Sequence, residues 1–453
     1  MSSAPPAPAK SSPRRAAIAS LVGTTLEWYD FTLFTLYSAL IFPTLFFVAE
    51  SPQVAVVQSL GIFAAGFLAR PIGALYFGRI GDKYGRKRVL VSTLLVMGVA
   101  TTGIGLLPTY AAVGVWAPLL LLVLRLAQGF AAGAEVGSAI TVAAEFSSRK
   151  SRGLWASFPA MGNFAGLILS AVAFRLVTQL PPEQLYSWGW RVPFIAGFIV
   201  VIVGIIVRLG LSETPAYLAK QAEGVVQRLT LGVIIRSAWR PMIVLGLIYF
   251  ACNGLSYFYQ ALGAAYASSV LGLTAAQVAN GVLIGSIAGF FTVPLFGMLS
   301  DRIGRRPVII IGMVFAVVAG LVLFFVLDPG NATGYIAVMI IALALANAGY
   351  NAGVNSFGSE LFTTEVRLTG MTVSREVAGS LGGGLVPLVG ASLMGLAVGA
   401  QFALIGLATA LAFVGIVTVL VVRETRGSSL DDPEYALTSS AAVADAVEHH
   451  SHP

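Results

Sequence analysis

Charged residues are scarce in this chain. Asp, Glu, Lys and Arg make up 10% of the 453 residues, whereas a soluble globular domain has about a quarter of its residues charged. So little charge cannot cover a surface that faces water, and hydrophobic residues account for 57% of the chain. The composition excludes an ordinary soluble protein and indicates a chain that crosses a membrane many times.

Cysteine and histidine are also nearly absent. The single cysteine, Cys252, excludes an internal disulfide and a metal site built from several cysteines. All three histidines lie in the last five positions (His449, His450 and His452), so none can act inside the membrane. A membrane enzyme would carry paired intramembrane histidines or a soluble catalytic domain. We therefore predict no enzymatic activity, no metal and no cofactor.

Long apolar stretches are abundant. Each is long enough for the roughly 20 residues that a helical span requires. They predict an all-α membrane protein with twelve transmembrane helices, here called spans 1 to 12: 17–47, 54–78, 89–109, 113–143, 153–178, 191–211, 238–267, 276–300, 307–328, 334–359, 368–395 and 400–422.

Lys and Arg alternate between the two sides of these spans. They cluster in the N-terminal tail and after every even-numbered span, while the opposite loops carry only Arg175 and Arg191 at the edges of one loop. The positive-inside rule places both termini in the cytoplasm and explains the net charge of +7 without a nucleic-acid partner. We predict a disordered tail at 1–16, six-helix bundles at 17–211 and 238–422 joined by a cytoplasmic linker at 212–237, and a disordered tail at 423–453.

One charged sequence occurs twice. GRIGDKYGRKRV begins at Gly78 and GMLSDRIGRRPV begins at Gly297. The matched positions have a constant offset: Gly78, Asp82, Gly85 and Arg86 correspond to Gly297, Asp301, Gly304 and Arg305. A second pair, EFSSRKSR from Glu145 and ELFTTEVR from Glu360, places Arg at the same distance after Glu. The repeat predicts two parallel six-span halves.

The two charged strings resemble the signature loop of the major facilitator superfamily, and RLAQGFAAGAEVG (125–137) resembles its fourth-span motif. LEWYDF, ARPIGALYFGRIGD, WGWRVPF, SETPAY and SELFTTEVRLTG, in that order, are similar to the metabolite:proton symporter family. The likeness extends over about residues 17–425. It implies the major facilitator fold and alternating access by rocking of two bundles around a central site. The family imports carboxylates such as 2-oxoglutarate, citrate and shikimate, or zwitterions such as proline and betaine.

The resemblance implies that the repeated loops form a gate on the cytoplasmic side. Asp82 and Arg86 are expected to contact the end of span 11, and Asp301 and Arg305 to contact span 5, with arginine binding carboxylates bidentately. The other reading is contact with anionic lipids. The predicted gate residues are Gly78, Asp82, Gly85, Arg86, Glu145, Glu213, Asp301, Gly304, Arg305 and Glu360.

Ionisable residues inside spans are costly and usually face a cavity or a partner. By helix rise, Asp30 and Arg125 both lie near mid-depth. Related sugar:proton porters place an acid of span 1 beside the arginine of span 4. Asp30 is therefore the predicted proton site, with Glu27 as the alternative. Arg125 would hold Asp30 ionised until an anionic substrate competes for the arginine and Asp30 takes a proton.

Other intramembrane residues have two readings each. Arg70 lies near the level of Glu27 and can pair with it, and Arg70 and Glu376 are predicted as structural pair formers. The predicted substrate contacts are Arg125, Glu135, Asn253, Tyr257, Gln260, Asn347, Tyr350, Asn351 and Arg375. Glu135 could equally form a tight helix contact, and the span 10 residues could form interhelical hydrogen bonds.

The sequence thus predicts a proton-driven importer of a small organic acid in the cell membrane, surrounded by lipids and sufficient as a monomer. Uptake of a zwitterion such as proline or betaine is the first alternative. Proton antiport of a drug and a membrane transceptor are the others. The span 5 pattern of antiporters is not evident, and the short polar tails leave no structured cytoplasmic domain for a transceptor.

Overall fold

The protein is a bundle of helices that follows the predicted spans. The computed structural model describes residues 13–48, 51–84, 86–133, 150–209, 231–362, 364–396 and 399–428, with the backbone alone for 13–20, 22–23, 26, 78–84, 86–91, 200, 203–209, 231–234, 364–366 and 368. Within these ranges there is no strand. Helix occupies most of the described part of every predicted span, as the long apolar runs require.

The N-terminal half, residues 13–209, contains spans 1 to 6. Its long helices are α1 (Pro13–Leu40), α3 (Pro52–Tyr84), α4 (Arg86–Leu106), α6 (Trp116–Ala132), α8 (Phe158–Val177) and α10 (Val192–Leu209). Short helices lie between them: α2 (Phe42–Phe46), α5 (Tyr110–Val113), α7 (Arg152–Ala156) and α9 (Pro182–Ser187), followed by a 3₁₀ turn at Gly189–Arg191.

The C-terminal half, residues 231–428, contains spans 7 to 12. Its helices are α11 (Leu231–Tyr257), α12 (Gly263–Ser269), α13 (Ala275–Ile303), α14 (Arg305–Phe325), α15 (Ala332–Met339), α16 (Ala348–Glu360), α17 (Thr364–Gly379), α18 (Val386–Met394) and α19 (Ala400–Val421). Three π-helical stretches join the two parts of spans 7, 10 and 11: Phe258–Leu262, Ile340–Asn347 and Ser380–Leu385.

The surface suits a lipid environment. Among the described residues, eight helices are long and apolar enough to cross a membrane, and two shorter apolar helices cover Ser92–Leu106 and Trp116–Ala132. Large apolar side chains such as Phe291, Phe402 and Val421 are exposed on the outside of the bundle. Acyl chains can cover such a surface, whereas water cannot do so without a large free-energy cost.

Local sequence explains where spans 8 and 9 begin. Thr274 and Gln277 form a reciprocal capping box at the start of α13. Gly304 separates α13 from α14 with φ of 107°, and a Cβ atom there would lie 2.6 Å from the Glu424 carboxylate. Only glycine adopts this conformation without strain, so Gly304 is required by the turn itself.

The two main contacts between the halves are related by the repeat, in which span 2 corresponds to span 8 and span 5 to span 11. Span 5 (α8) packs along span 8 (α13), and span 2 (α3) packs along span 11 (α17, the π stretch and α18). Span 1 also contacts span 7 across the midline. A small cavity lies between the halves, at the level where spans 1, 2, 7 and 11 meet.

Two boundaries differ from the sequence-based prediction. Helix α1 already begins at Pro13, inside the predicted tail. Helix α11 begins at Leu231, and its one non-helical residue, Ala238, is where span 7 was predicted to start. Residues 423–428, predicted to be part of a disordered tail, follow α19, and Thr425 and Ser428 among them are buried.

Candidate functional site

The central cavity lies between the two halves. Its volume is ≈ 10 Å³, which is room for about one water molecule, so a ligand would enter only when the halves move apart. The N-terminal half contributes one wall and the C-terminal half the other. The lining residues are Trp28, Phe67, Arg70, Asn253, Tyr257, Arg375, Glu376 and Gly379.

Two arginines line this cavity in different electrostatic settings. Arg70 of span 2 is buried and forms ion pairs with Glu27 of its own half at 3.4 Å and with Glu376 of the opposite half at 2.7 Å. Arg375 is half-buried, and its guanidinium lies 5.7 Å from the centre of the Tyr249 ring. Within the described residues Arg375 forms neither an ion pair nor a hydrogen bond, so its charge is available to a ligand.

Aromatic side chains close the cavity. Trp28 of span 1 and Tyr257 of span 7 stack with ring centres 6.1 Å apart, and Phe67 contacts Tyr257 edge-on at 5.0 Å. Trp28 Nε1 and the Tyr257 hydroxyl have no hydrogen-bond partner among the described residues. Because a buried N–H or O–H without an acceptor is costly, these two donors favour a ligand rich in acceptor atoms.

Asp30 and Arg125 belong to one buried hydrogen-bond network. Thr101 donates to Asp30 Oδ2 at 2.9 Å and accepts from Gln128 Nε2 at 2.7 Å. Arg125 Nη1 donates to Gln128 Oε1 at 3.2 Å. The predicted partners are thus brought together through Thr101 and Gln128, and no direct ion pair joins them in the described part of the chain.

Arg125 lies behind the cavity wall rather than in it. Its guanidinium is fully buried and lies 4.2–5.9 Å from the ring centres of four phenylalanines (Phe34, Phe31, Phe63 and Phe67). Such rings stabilise a cation through their electron-rich faces. Arg125 Nε and Nη2 find no acceptor among the described residues. An anion in the cavity would meet Phe67 before it reached Arg125.

The polar residues of spans 7 and 10 divide into two groups. Asn253 and Tyr257 line the cavity. Asn347 and Tyr350 are buried and bond to span 7: Ser256 bonds to the Tyr350 hydroxyl at 2.8 Å and accepts from Asn347 at 3.2 Å. Asn351 is half-buried and donates to Asn347 Oδ1 at 2.6 Å, within span 10. Asn347 and Tyr350 therefore make interhelical hydrogen bonds in this conformation. Gln260 is buried, and its amide atoms have no partner within the described residues.

A second polar cluster lies at the end of the bundle predicted to be cytoplasmic. We call Arg152, Asp301, Arg305 and Glu360 the gate cluster. Glu360 is buried and accepts from Arg152 at 3.0 Å and from Arg305 at 3.1 Å. Asp301 pairs with Arg305 at 2.7 Å. It also accepts from the backbone N–H groups of Gly153 and Leu154 at the start of span 5. These contacts join the halves.

The segment after span 12 adds to the gate cluster. Glu424 accepts from the backbone N–H groups of Arg305 and Arg306 at 2.8 and 3.0 Å, which caps the N-terminus of α14. The Thr425 hydroxyl donates to Glu360 at 2.6 Å. Arg152 donates to the Ser428 carbonyl oxygen at 3.1 Å. The last span is thus attached to both halves at the gate.

Comparison with known proteins agrees with this architecture. The family model described as Major Facilitator Superfamily matches residues 31–387 and 251–443. The chain belongs to the major facilitator superfamily. It is therefore a multi-pass membrane transporter and not an enzyme, and the fold predicted from the sequence is confirmed.

Relatives within the superfamily are metabolite transporters. An inner membrane metabolite transport protein of Escherichia coli is 36% identical over 91% of this chain and 94% of its own. The shikimate transporter of Escherichia coli is 34% identical over 84% and 88%. The proline/betaine transporter of Salmonella typhimurium is 32% identical over 92% and 85%. The structure of a proton:xylose symporter superposes with a TM-score of 0.71 at 17% identity, covering 93% and 98%.

Several predicted residues of this superfamily member lie outside the described structure. Gly85, Glu135, Glu145 and Glu213 are not described at all. Gly78, Asp82 and Arg86 lie in α3 and α4, but their side chains are outside the description. The contact predicted between the first charged loop and span 11 therefore stays a prediction.

Sequence reasoning missed residues that connect the predicted ones. Thr101 and Gln128 link Asp30 to Arg125, and the spacing of Gln128, three residues after Arg125, is a usable signal. Glu424 and Thr425 follow the last span of the C-terminal half as Glu213 and Thr214 follow that of the N-terminal half. The internal repeat could have identified both.

Proposed function

We propose that this protein is a proton-coupled symporter that imports a small organic anion by alternating access. The observation that carries the proposal is Arg375, a cation in the cavity with no carboxylate partner within the described residues. Arg70, in the same cavity, already has two. A carboxylate ligand would balance Arg375 and accept from Trp28 Nε1 and the Tyr257 hydroxyl, which supports an acceptor-rich anion.

The packing of the halves supports alternating access. Asp301 joins span 8 to span 5 on the side predicted to be cytoplasmic. At the level of the cavity, the Ser380 hydroxyl of span 11 donates to the Phe67 carbonyl of span 2 at 2.6 Å. The halves are therefore held together both at the gate cluster and beside the cavity. Breaking one set of contacts at a time would expose the site to one side of the membrane.

Proton coupling and the inward direction of transport are proposed from other observations. Relatives of this chain are named as transporters of metabolites, of shikimate and of proline/betaine. The fold is shared with a protein named as a proton:xylose symporter. Buried carboxylates at the cavity, which can carry a proton, complete the support. We infer a location in the inner membrane with both termini cytoplasmic, from the distribution of Lys and Arg.

The test is uptake by purified protein in liposomes. Labelled shikimate, 2-oxoglutarate, citrate, proline and betaine would be offered singly, with a pH-sensitive dye in the lumen. We expect uptake of at least one carboxylate together with acidification of the lumen, and a response to an imposed proton gradient. Uptake that ignores the gradient for every probe would contradict proton coupling.

A matched pair of variants tests the anion site. Arg375→Gln removes the cavity cation, and a charged hydrogen bond contributes about 1.5–3 kcal/mol, so carboxylate uptake should fall roughly 10- to 100-fold. Arg240→Gln removes an exposed arginine of the same half and should leave uptake unchanged. Equal effects of both changes would mean that Arg375 does not bind the substrate.

Zwitterion uptake is the second candidate. The cavity offers Glu376 and the stacked rings of Trp28 and Tyr257, which can hold an ammonium group as well as Arg375 can hold a carboxylate. Proline and betaine are in the panel for this reason. Uptake confined to these two probes would favour this function over anion transport.

A further inference from the structure

The ion pair between Arg70 and Glu376 crosses the boundary between the halves. Arg70 Nε donates to Glu376 Oε2 at 2.7 Å, and Arg70 Nη2 lies 3.4 Å from Glu376 Oε1. Both side chains are buried, with 7% and 3% of their surface exposed. A contact of this kind holds the halves together at the level of the substrate site.

The charges around the cavity balance when the cavity is empty. Arg70 and Arg375 carry two positive charges, and Glu27 and Glu376 carry two negative charges. Among the described residues, the Tyr249 phenol of span 7 also faces Glu376, and the Tyr257 phenol lines the same cavity; both are neutral near pH 7. A carboxylate that binds Arg375 adds one negative charge to a buried and previously neutral cluster. Uncompensated charge in such a place costs several kcal/mol, so one proton should accompany the anion.

We infer that Glu376 is the carboxyl group that takes this proton. Glu376 lines the cavity, next to Arg375 in the chain, whereas Glu27 is not among the lining residues and Asp30 accepts from Thr101 behind the aromatic wall. Among the described residues, Glu376 is therefore the carboxylate that lines the cavity together with Arg375. The inference rests on the proposed anion symport and identifies its coupling residue.

Protonation of Glu376 would also release the halves. The neutral acid no longer forms an ion pair with Arg70, so the contact between spans 2 and 11 loses most of its electrostatic strength. Glu27 remains on Arg70 and keeps that cation balanced within the N-terminal half. Substrate, proton and separation of the halves are thus linked at one residue, and the proton leaves on the cytoplasmic side when the anion does.

The first test needs no substrate. Dicyclohexylcarbodiimide adds to protonated carboxyl groups in apolar surroundings, and peptide mass spectrometry locates the adduct. With purified protein in nanodiscs at neutral pH, Arg375→Gln imitates the neutralisation of Arg375 by an anion. We expect labelling of Glu376 to rise roughly threefold or more in Arg375→Gln relative to the wild type, and not in Arg240→Gln. Labelling that falls only on Glu27 or Asp30, or is unchanged in Arg375→Gln, would overturn the inference.

The second test measures coupling in liposomes with shikimate as the probe. Glu376→Gln should retain exchange of labelled shikimate across the membrane, while lumen acidification falls about tenfold or more. Glu183→Gln is the matched control, because it makes the same change of side chain at an exposed position outside the cavity and should keep acidification. Acidification that survives in Glu376→Gln and is lost in Glu27→Gln or Asp30→Asn would refute the assignment.

Failure of the proposed function is distinguishable from failure of this inference. A wild-type protein that acidifies the lumen with none of the five probes is not an anion symporter of this class. The carbodiimide experiment still shows whether Glu376 is the group that becomes protonated when Arg375 is neutralised. If Glu376→Gln does not fold, Glu376→Asp retains a titratable group and should keep acidification while weakening the contact with Arg70.

Discussion

The two halves share a sequence repeat but differ in how their buried polar groups are arranged. In the N-terminal half, a continuous chain of hydrogen bonds links Asp30, Thr101, Gln128 and Arg125, and the arginine lies against phenylalanine rings. In the C-terminal half, Arg375 is open to the cavity. The π-helical stretches follow the same division: spans 7, 10 and 11 contain one each, and the described N-terminal helices contain none.

This difference indicates that the two halves have different roles in the conformational change. π-helical turns break the regular backbone hydrogen-bonding pattern and are found frequently at functional sites. A half with three of them can change the shape of its cavity-lining spans at low cost. The N-terminal half, with its network enclosed by aromatic rings, is the stiffer partner. We therefore expect substitutions at the C-terminal side to alter the conformational equilibrium, and equivalent ones inside the N-terminal half to alter stability.

The largest effect is expected at Glu360, the acceptor shared by both gate arginines. Glu360→Gln leaves Arg152 and Arg305 without that carboxylate, and breaking a buried ion pair costs about 3–5 kcal/mol. The closed gate should open, because Arg152 belongs to the N-terminal half and Glu360 to the C-terminal half. The rate of thiol labelling at a cysteine placed at buried Ala156, in a Cys252→Ser background, measures the opening.

Glu183→Gln is the control for this gate experiment. Glu183 is exposed in α9, at the opposite end of the bundle, and carries the same change of side chain. Labelling at position 156 should be unchanged by it. A rate in Glu360→Gln that equals the wild-type rate would show that the gate cluster does not hold the halves closed.

Substitution of two glycines compares packing within one half, at Gly129, with packing between the halves, at Gly297. A Cβ atom on Gly129 of span 4 would lie 1.8 Å from the Gly66 carbonyl oxygen of span 2, inside the N-terminal half. A Cβ atom on Gly297 of span 8 would lie 2.7 Å from the Gly153 carbonyl oxygen of span 5, across the boundary. Overpacking costs about 1–3 kcal/mol. Gly129→Ala should lower the thermal unfolding temperature, while Gly297→Ala should raise thiol labelling at position 156 with little change in unfolding.

The comparison fails if both glycine variants behave alike. A fall in unfolding temperature of similar size for each would mean that the boundary between halves is as rigid as the interior of one half. The rocking motion would then need another interface.

The fold was predictable because apolar length and the positions of Lys and Arg are properties of the sequence itself. The gate was predictable in part, since the repeat pointed to Asp301, Arg305 and Glu360. The site was harder, because depth along a helix locates Arg125 and Arg375 without showing which side of Phe67 each occupies. Side-chain direction depends on how the helices rotate against each other, and the spacing of charges in one chain does not contain that information.

Thr101 tests the enclosed network of the N-terminal half. Thr101→Val keeps the shape of the side chain and removes the hydroxyl between Asp30 and Gln128. A hydrogen bond to a charged acceptor is worth about 1.5 kcal/mol or more, so the unfolding temperature should fall while the rate of proton-driven uptake per folded molecule stays unchanged. A roughly tenfold fall in that rate would make Asp30 the coupling carboxylate, as the sequence predicts, and would contradict the assignment to Glu376.

The smallest effect is expected from two serines that make matching bonds. Ser380 donates to the Phe67 carbonyl oxygen across the halves and to the backbone carbonyl oxygen of Glu376 in its own span, both at 2.6 Å. Ser170 donates to the Tyr29 carbonyl at 2.7 Å and to Gly166 at 2.8 Å, within the N-terminal half. Each bond contributes about 0.5–1.5 kcal/mol. Ser170→Ala should lower the unfolding temperature slightly and leave transport intact. Ser380→Ala should instead increase the rate of shikimate exchange, because its lost bond holds the halves together, and an unchanged exchange rate would place the constraint on rocking elsewhere.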